Sequence, residues 1–190
     1  DVYKRQQLTK ADQKIYTWGE TTVASHMASL ELVATNTYNQ FNVDAQYGWN
    51  KNVEIGADYE RYLGTFFRAY IGIEAENEVE DSLDEITTVG RAGVRWLLPF
   101  FIDSDLGIDT QLRPQIQFST AIPIFNRVEL QGMWQMQADF GWKNDLPADT
   151  NWEREYIWSV GAEYILGQYF SLSASYDNRF GAGGGLTVRF

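Results

Sequence analysis

Hydrophobic and polar residues alternate with a period of two along most of this chain, the pattern of β-strands with one apolar and one polar face. Between residues 41 and 49 the apolar set is Phe41, Val43, Ala45, Tyr47 and Trp49, against Asn42, Asp44, Gln46 and Gly48. After the polar turn Asn50-Lys51-Asn52, Val53, Ile55, Ala57 and Tyr59 oppose Glu54, Gly56, Asp58 and Glu60, so the two runs read as a hairpin. Phe67, Ala69, Ile71 and Ile73 then oppose Arg68, Tyr70, Gly72 and Glu74. Ala92, Val94 and Trp96 oppose Arg91, Gly93 and Arg95, and Leu106 and Ile108 oppose Asp103, Asp105 and Asp109. The second half continues with Leu130, Trp134, Met136 and Ala138, with Tyr156, Trp158, Val160 and Ala162, and with Phe170, Leu172, Ala174 and Tyr176. The pattern predicts strands over 14–21, 28–36, 40–49, 53–62, 66–76, 86–97, 101–109, 113–121, 128–142, 153–166, 169–178 and 183–190. That is about twelve strands, with ten as the alternative because the first two are the faintest.

A soluble sandwich or lipocalin-like barrel would bury the apolar face of such strands. A transmembrane barrel turns it outward and gathers aromatic residues where the apolar band meets the headgroups. The order along each strand separates these readings. Val43 and Ala45, Ala69 and Ile71, Val160 and Ala162, and Leu172 and Ala174 occupy the strand centres. Tyr47 and Trp49, Phe67, Trp96, Phe140 and Trp142, Tyr156 and Trp158, Tyr164, Phe170, Tyr176 and Phe190 occupy the ends of the same face. The expected fold is therefore an all-β, antiparallel, up-and-down transmembrane β-barrel in a lipid bilayer, in the outer membrane of a Gram-negative bacterium. Short connections at Thr37-Tyr38-Asn39, Leu63-Gly64-Thr65, Leu98-Pro99-Phe100, Ile122 to Arg127 and Gly167-Gln168 are assigned to the periplasmic side. The longest connections, Asn77 to Glu85 and Lys143 to Trp152, fall on the opposite side, as extracellular loops should.

Composition narrows the function classes. The chain has 190 residues and a formal net charge of −11, which argues against a nucleic-acid partner. It has no cysteine, hence no disulfide framework and no thiolate metal site. The longest uninterrupted apolar stretch, Trp96 to Ile102, contains Pro99 and is far too short for a membrane-crossing helix of roughly 20 residues. Residues 1–13 are polar, with no apolar segment of the kind an export signal carries, and are expected to be a disordered or non-native leader to a single barrel domain over 14–190. The ending Leu186-Thr187-Val188-Arg189-Phe190 resembles the aromatic-ended strand by which barrel-assembly machinery recognises its clients.

The polar face supplies the candidate chemistry. Glu54, Asp58, Glu60, Glu74, Glu76, Arg91, Arg95, Asp103, Asp105 and Asp109 all face the expected lumen. They would form either a cation path or hard-metal site, or an ion-pair network that fills the interior of a modest barrel, with arginines bridging carboxylates. The second reading is preferred. Glu76, Glu78, Glu80, Asp81, Asp84 and Glu85 make an acidic loop that is expected to be solvated. His26 is the only histidine. A hydrolase would need it oriented by a third group, and a soft-metal site would need more donors than His26 and Met27 with Met133 and Met136 elsewhere. No catalytic residue is assigned, and the chain is expected not to be an enzyme. Gly181-Ala182-Gly183-Gly184-Gly185 lacks the Lys-Ser/Thr ending of a phosphate loop and is expected to be a tight turn with close strand packing.

Several stretches together carry a resemblance: Thr17-Trp18-Gly19-Glu20 leading to Ala24-Ser25-His26-Met27, Gln46 to Tyr62, Ala138-Asp139-Phe140-Gly141-Trp142, and Tyr176 to Phe190. From about Ile15 onward the chain resembles the β-barrel extension that follows the blue-copper domains of some bacterial multicopper oxidases. More distantly it resembles the outer-membrane barrels of the copper resistance protein B family. The resemblance implies a membrane anchor or export module of a copper-tolerance system, partnered by copper-oxidase domains. Any copper cofactor or oxidase activity would then reside in those domains, with only His26 and Met27 as weak metal candidates in this chain.

Overall fold

A computed structural model of the protein describes residues 14–77, 86–142 and 152–190. The expected leader over 1–13, the acidic loop beyond Asn77 and most of the second long loop lie outside the described residues. Twelve strands form: β1 (Tyr16–Ala24), β2 (Met27–Thr35), β3 (Asn39–Gly48), β4 (Val53–Tyr62), β5 (Phe67–Asn77), β6 (Ile86–Leu98), β7 (Ile102–Asp109), β8 (Pro114–Phe125), β9 (Val128–Asp139), β10 (Glu153–Ile165), β11 (Phe170–Asp177) and β12 (Gly181–Arg189). Each pairs antiparallel with its sequence neighbour, and β12 pairs with β1, so the sheet closes on itself. The seam is in register from Glu20 opposite Arg189 to Ala24 opposite Gly185. It continues in reciprocal backbone bonds between Gly19 and Phe190 of 2.9 and 3.0 Å.

The alternation that predicts the strands also extends three of them. β1 and β2 reach to within two residues of each other, so the expected gap over 22–27 shrinks to Ser25-His26. Thr22 continues the lumen-facing row, and its Oγ1 lies 2.9 Å from Thr187 Oγ1 across the seam. β8 runs to Phe125 rather than ending near residue 121, because Ile122, Ile124 and Phe125 carry the apolar face to the rim; only Asn126-Arg127 turns. Pro123 cannot donate to the ladder, and the register shifts between it and Phe125 absorb the fault. The glycine run is not the turn. Gly181 begins β12, and Asn178-Arg179-Phe180 make the turn. Conversely, β9 ends at Asp139, and Phe140 and Trp142 lie beyond it, stacked on each other at 5.3 Å.

Burial is inverted relative to a soluble protein. Glu60, Ser171, Thr187 and Glu163 are buried, while Ile55, Ile71, Ile73, Val160 and Leu172 are exposed on the outside. No described helix is long and apolar enough to cross a membrane. The crossing is made by strands. Tyr38, Phe66, Phe100, Phe101, Phe125, Tyr169 and Phe190 line the rim that carries the short turns, and Trp49, Trp142 and Trp152 lie toward the opposite rim. Aliphatic middle, aromatic rims and polar interior in a closed, even-stranded antiparallel barrel are the architecture of an outer-membrane protein. β1 starts and β12 ends at the rim of short turns, here the turn end; both long connections, β5–β6 and β9–β10, lie at the other, the loop end.

Placing arginine on the outer face should therefore be costly. Ala174→Arg, exposed beside Ala162 at the middle of the band, is expected to lose about 2–4 kcal/mol in unfolding from lipid vesicles. Equal stability of variant and parent would remove the membrane assignment.

Candidate functional site

The polar face of each strand points into the lumen, and its longest side chains there find one another. Arg95 of β6 is the hub. Its Nε donates to Asp105 Oδ2 at 2.7 Å, its Nη1 lies 3.2 Å from Asp58 Oδ2, and Nη1 also meets Glu60 Oε1. Its guanidinium stacks 4.2 Å from the centroid of the Tyr70 ring, whose Oη donates to Asp105 Oδ1 at 2.8 Å. Glu60, only 1% exposed, also faces Arg68 Nη1 at 3.1 Å. Arg68 Nη2 reaches on to Asp103 Oδ1 at 3.0 Å. Asn42 Nδ2 donates to Asp58 Oδ2 at 2.8 Å and to Glu60 Oε1 at 3.1 Å. The cluster thus links β3 to β7, nearer the turn end.

Glycines make room for this hub. Tyr70 lies flat against the wall over Gly93 and Gly107; a Cβ on Gly93 would come 2.8 Å from Tyr70 Cε1, and one on Gly107 would strike the phenol oxygen. Any larger residue at either place would lift the ring away from Arg95 and Asp105.

Toward the loop end the pairing crosses the lumen. Arg179, in the β11–β12 turn, meets Glu54 of β4 through Nη1, and its Nε lies 3.3 Å from Asp177 Oδ1. Strands β1, β2 and β3 intervene between β12 and β4 around the ring, so this contact spans part of the mouth. The turn is held there by Asn50 Nδ2, which donates to the Arg179 carbonyl at 2.9 Å. It is held also by Phe180, buried so tightly over Gly48 that a Cβ there would come 2.5 Å from its ring. Burial opposes the charge on Arg179, but Glu54 and Asp177 outweigh it and hold the guanidinium above its ordinary range. Arg91 pairs with Glu74 at 2.7 Å, and at the seam Arg189 pairs with Glu20 at 2.7 Å and with Glu163.

The sequence-predicted set is therefore divided. Glu54, Asp58, Glu60, Glu74, Arg91, Arg95, Asp103 and Asp105 all enter ion pairs in the lumen. Asp109 instead organises its own turn: it accepts from the backbone of Gln111 and Arg113 and pairs with Arg113 Nε at 2.6 Å. Sequence reasoning missed Arg68, Arg179, Arg189, Glu20, Glu163 and Tyr70. Arg68, Tyr70 and Arg189 were legible as polar-face positions; Arg179 sits in a turn, where alternation carries no signal.

The lumen holds several cavities, one of about 320 Å³ lying along β7–β11 against Asp103, Ser119, Gln131, Met133, Ser159 and Ser175. A central one of about 210 Å³ is lined by Asp44, Glu54, Asp58, Glu74, Arg91 and Arg95, among others. A side cavity of about 230 Å³ runs along β1, β2 and β10–β12 past Glu20, His26, Met27, Met133 and Glu163. One of about 410 Å³ at the turn end is lined by Glu31, Glu60, Arg68, Arg95 and Asp103. Among the described residues six arginines pair with ten carboxylates, and Asp44 and Glu31 add carboxylates with no ion pair there. The lumen is acidic.

His26 is buried at the β1–β2 turn, with Nε2 3.4 Å from Ser175 Oγ. Its Nδ1 has no partner among the described residues and abuts Gly183. A Ser–His pair needs a third group on that nitrogen to act as a hydrolase. Among the described residues no group of three or more His, Cys, Asp or Glu is placed to hold a metal.

No protein-family model and no curated protein matches the chain. Solved structures do. A chain from work on the in-meso crystallization of membrane proteins matches with a TM-score of 0.51 and 11% identity, over 92% of this chain and 83% of that one. Omp33 of Acinetobacter baumannii matches with a TM-score of 0.45 and 11% identity, over 93% and 97%. The translocator domain of the autotransporter NalP from Neisseria meningitidis matches with a TM-score of 0.40 and 10% identity, over 100% and 95%.

The packing of Tyr70 on glycine is testable as a coupling. Gly107→Ala is expected to destabilise by about 1–3 kcal/mol through overpacking, and Tyr70→Phe by about 1.5–3 kcal/mol through the lost bond to a charged acceptor. Because the new methyl meets the very oxygen that Tyr70→Phe removes, the double variant should lose less than the sum by more than about 0.5 kcal/mol. Additive losses in a denaturant titration would place Tyr70 elsewhere.

Proposed function

We propose that this outer-membrane barrel is a narrow conduit for small cations and water-sized polar solutes, not a wide general pore. The observation that carries this reading is the lumen itself. It is lined by ion pairs that leave cavities of about 210, 230, 320 and 410 Å³, and carboxylates exceed arginines along it. A porin keeps an open aqueous channel, whereas a lumen crossed by paired side chains admits only what can slip between them. Acidic walls lower the energy of a passing cation and raise that of an anion. Insertion by barrel-assembly machinery belongs to the same reading.

A second reading keeps the copper-tolerance role, as anchor or export module, because His26, Met27 and Met133 line one cavity. Nitrogen and thioether donors suit Cu(I). Titration of the folded barrel with Cu(I) should then show binding that His26→Ala removes; absence of heat in the parent protein would end it. Neither the family models nor the curated proteins lend this role support.

The conduit reading is checked in planar bilayers under a KCl gradient. The reversal potential should take the sign of cation preference, and liposomes carrying the barrel should exclude sugars. Ready sugar uptake or an anion-preferring potential would overturn it.

A further inference from the structure

The two sides of the lumen differ in kind. Arg68, Arg91 and Arg95 stand on β5 and β6, and the carboxylates that hold them stand on β4, β5 and β7, so that network lies flat along one wall. On the other side, β8 to β11 turn no lysine or arginine inward among the described residues. Arg154, the one basic residue in these strands, lies over the outward rings of Trp152 and Tyr156. Their inward positions at mid-barrel are Ser119, Gln131, Met133, Ser159, Gly161 and Ser175. These border the cavity of about 320 Å³, where Asp103 is the only charged lining residue among the described residues. We infer that small cations cross the barrel along this uncharged wall, beside the ion-pair network rather than through it, and that Asp103 sets the ion preference on the way. The inference rests on the conduit reading and deepens it, naming the route and the residue that selects.

Strand register draws the route. Asp103 faces Ser119, Ser119 faces Met133, Met133 faces Ser159, and Ser159 faces Asp177. Strands tilt in a barrel, so a row taken straight across them climbs along the axis. This row climbs from the turn-end cavity, which Asp103 and Ser119 also border, to the side cavity, which Met133, Ser159 and Asp177 border together with Arg179. Gln131, Gly161 and Ser175 make a second row beside it. Hydroxyls and an amide along the two rows can replace part of a cation's water shell. At Gly161 a Cβ would come 3.2 Å from Ser175 Cβ, so the missing side chain keeps the passage wide there. Met133 borders the central cavity too, which makes that cavity an alcove of the route. Asp103 is suited to select. Its side chain is 52% exposed, and Arg68, its one ion-pair partner among the described residues, is shared with Glu60.

The chain has no cysteine, so an introduced thiol is unique. Ser119→Cys, Ser159→Cys and Ser175→Cys each place one on the route, and Asp44→Cys places one in the central cavity, all in the full chain. The probe is a methanethiosulfonate bearing an ethylammonium group. Mass spectrometry verifies reaction, heat-dependent migration on gels verifies folding, and single-channel conductance in KCl is read before and after. Reaction at each serine position should lower conductance about fivefold or more. Position 44 should either not react or, once reacted, change conductance by less than about twofold. A loss at position 44 as large as that at position 159, or an unchanged conductance once position 159 has reacted, overturns the inference. Selection is read in the same bilayers. Asp103→Asn should bring the reversal potential under a KCl gradient at least about halfway to zero, and an unmoved potential removes Asp103 as the selecting residue. A parent that conducts no ions ends the conduit reading by itself, and reactivity then judges the route. Three serine-position thiols that all react from water keep it as a water-filled passage; any one that stays unreacted removes it.

Discussion

Everything in this molecule follows from the backbone. In a bilayer no water is available to satisfy an exposed N–H or C=O, so a sheet can cross only if its last strand pairs with its first. Here β12 closes on β1 over five residue pairs, and the bonds between Gly19 and Phe190 carry the ladder to its edge. Lumen side chains reinforce the same seam through Thr22 with Thr187 and Glu20 with Arg189. Closure leaves two kinds of surface and no edge. One faces lipid and the other faces whatever the lumen contains, so the alternation along every strand becomes a division between solvents.

That division explains why the interior is charged. With the apolar residues committed to the outside, the remaining half of each strand must line and largely fill the interior of a modest barrel. A buried carboxylate left alone there would be costly, and pairing it with a forked guanidinium and hydrogen-bond donors offsets the desolvation. Glu60 shows the arrangement: nearly inaccessible, it is shared by Arg68, Arg95 and Asn42. Small residues on the opposing strand complete it. Gly93 and Gly107 let Tyr70 lie flat beneath Arg95, and Gly48 lets Phe180 tuck under the loop-end turn. A lumen built this way is a filled interior with residual cavities, which links the packing problem directly to what can pass.

Much of this was legible beforehand, and the misses have a common cause. Alternation reports which face a strand residue occupies, so Asp58, Glu60, Arg91 and Arg95 could be placed in the lumen from spacing alone. It reports nothing about turns. The expected gap at 22–27, the early end of β8 and the glycine run as a turn differ from the structure where Thr22, Ile122 and Gly181 continue the strands. Arg179 was missed because it lies in a three-residue turn. Asp109, placed correctly on its face, turned out to build the β7–β8 turn with Arg113.

The sequence by itself determined the barrel: twelve alternating runs, aromatic at their ends and aliphatic at their centres, can satisfy lipid, headgroup and backbone in few other ways. Only the tertiary structure decided which arginine meets which carboxylate. That choice depends on the stagger between strands, adjacent ones for Arg91 with Glu74 and non-adjacent ones for Arg95 with Asp58 and Arg179 with Glu54. A period of two fixes the side of the wall on which a charge stands, whereas its partner is set by the curvature and register that closure imposes on the whole ring.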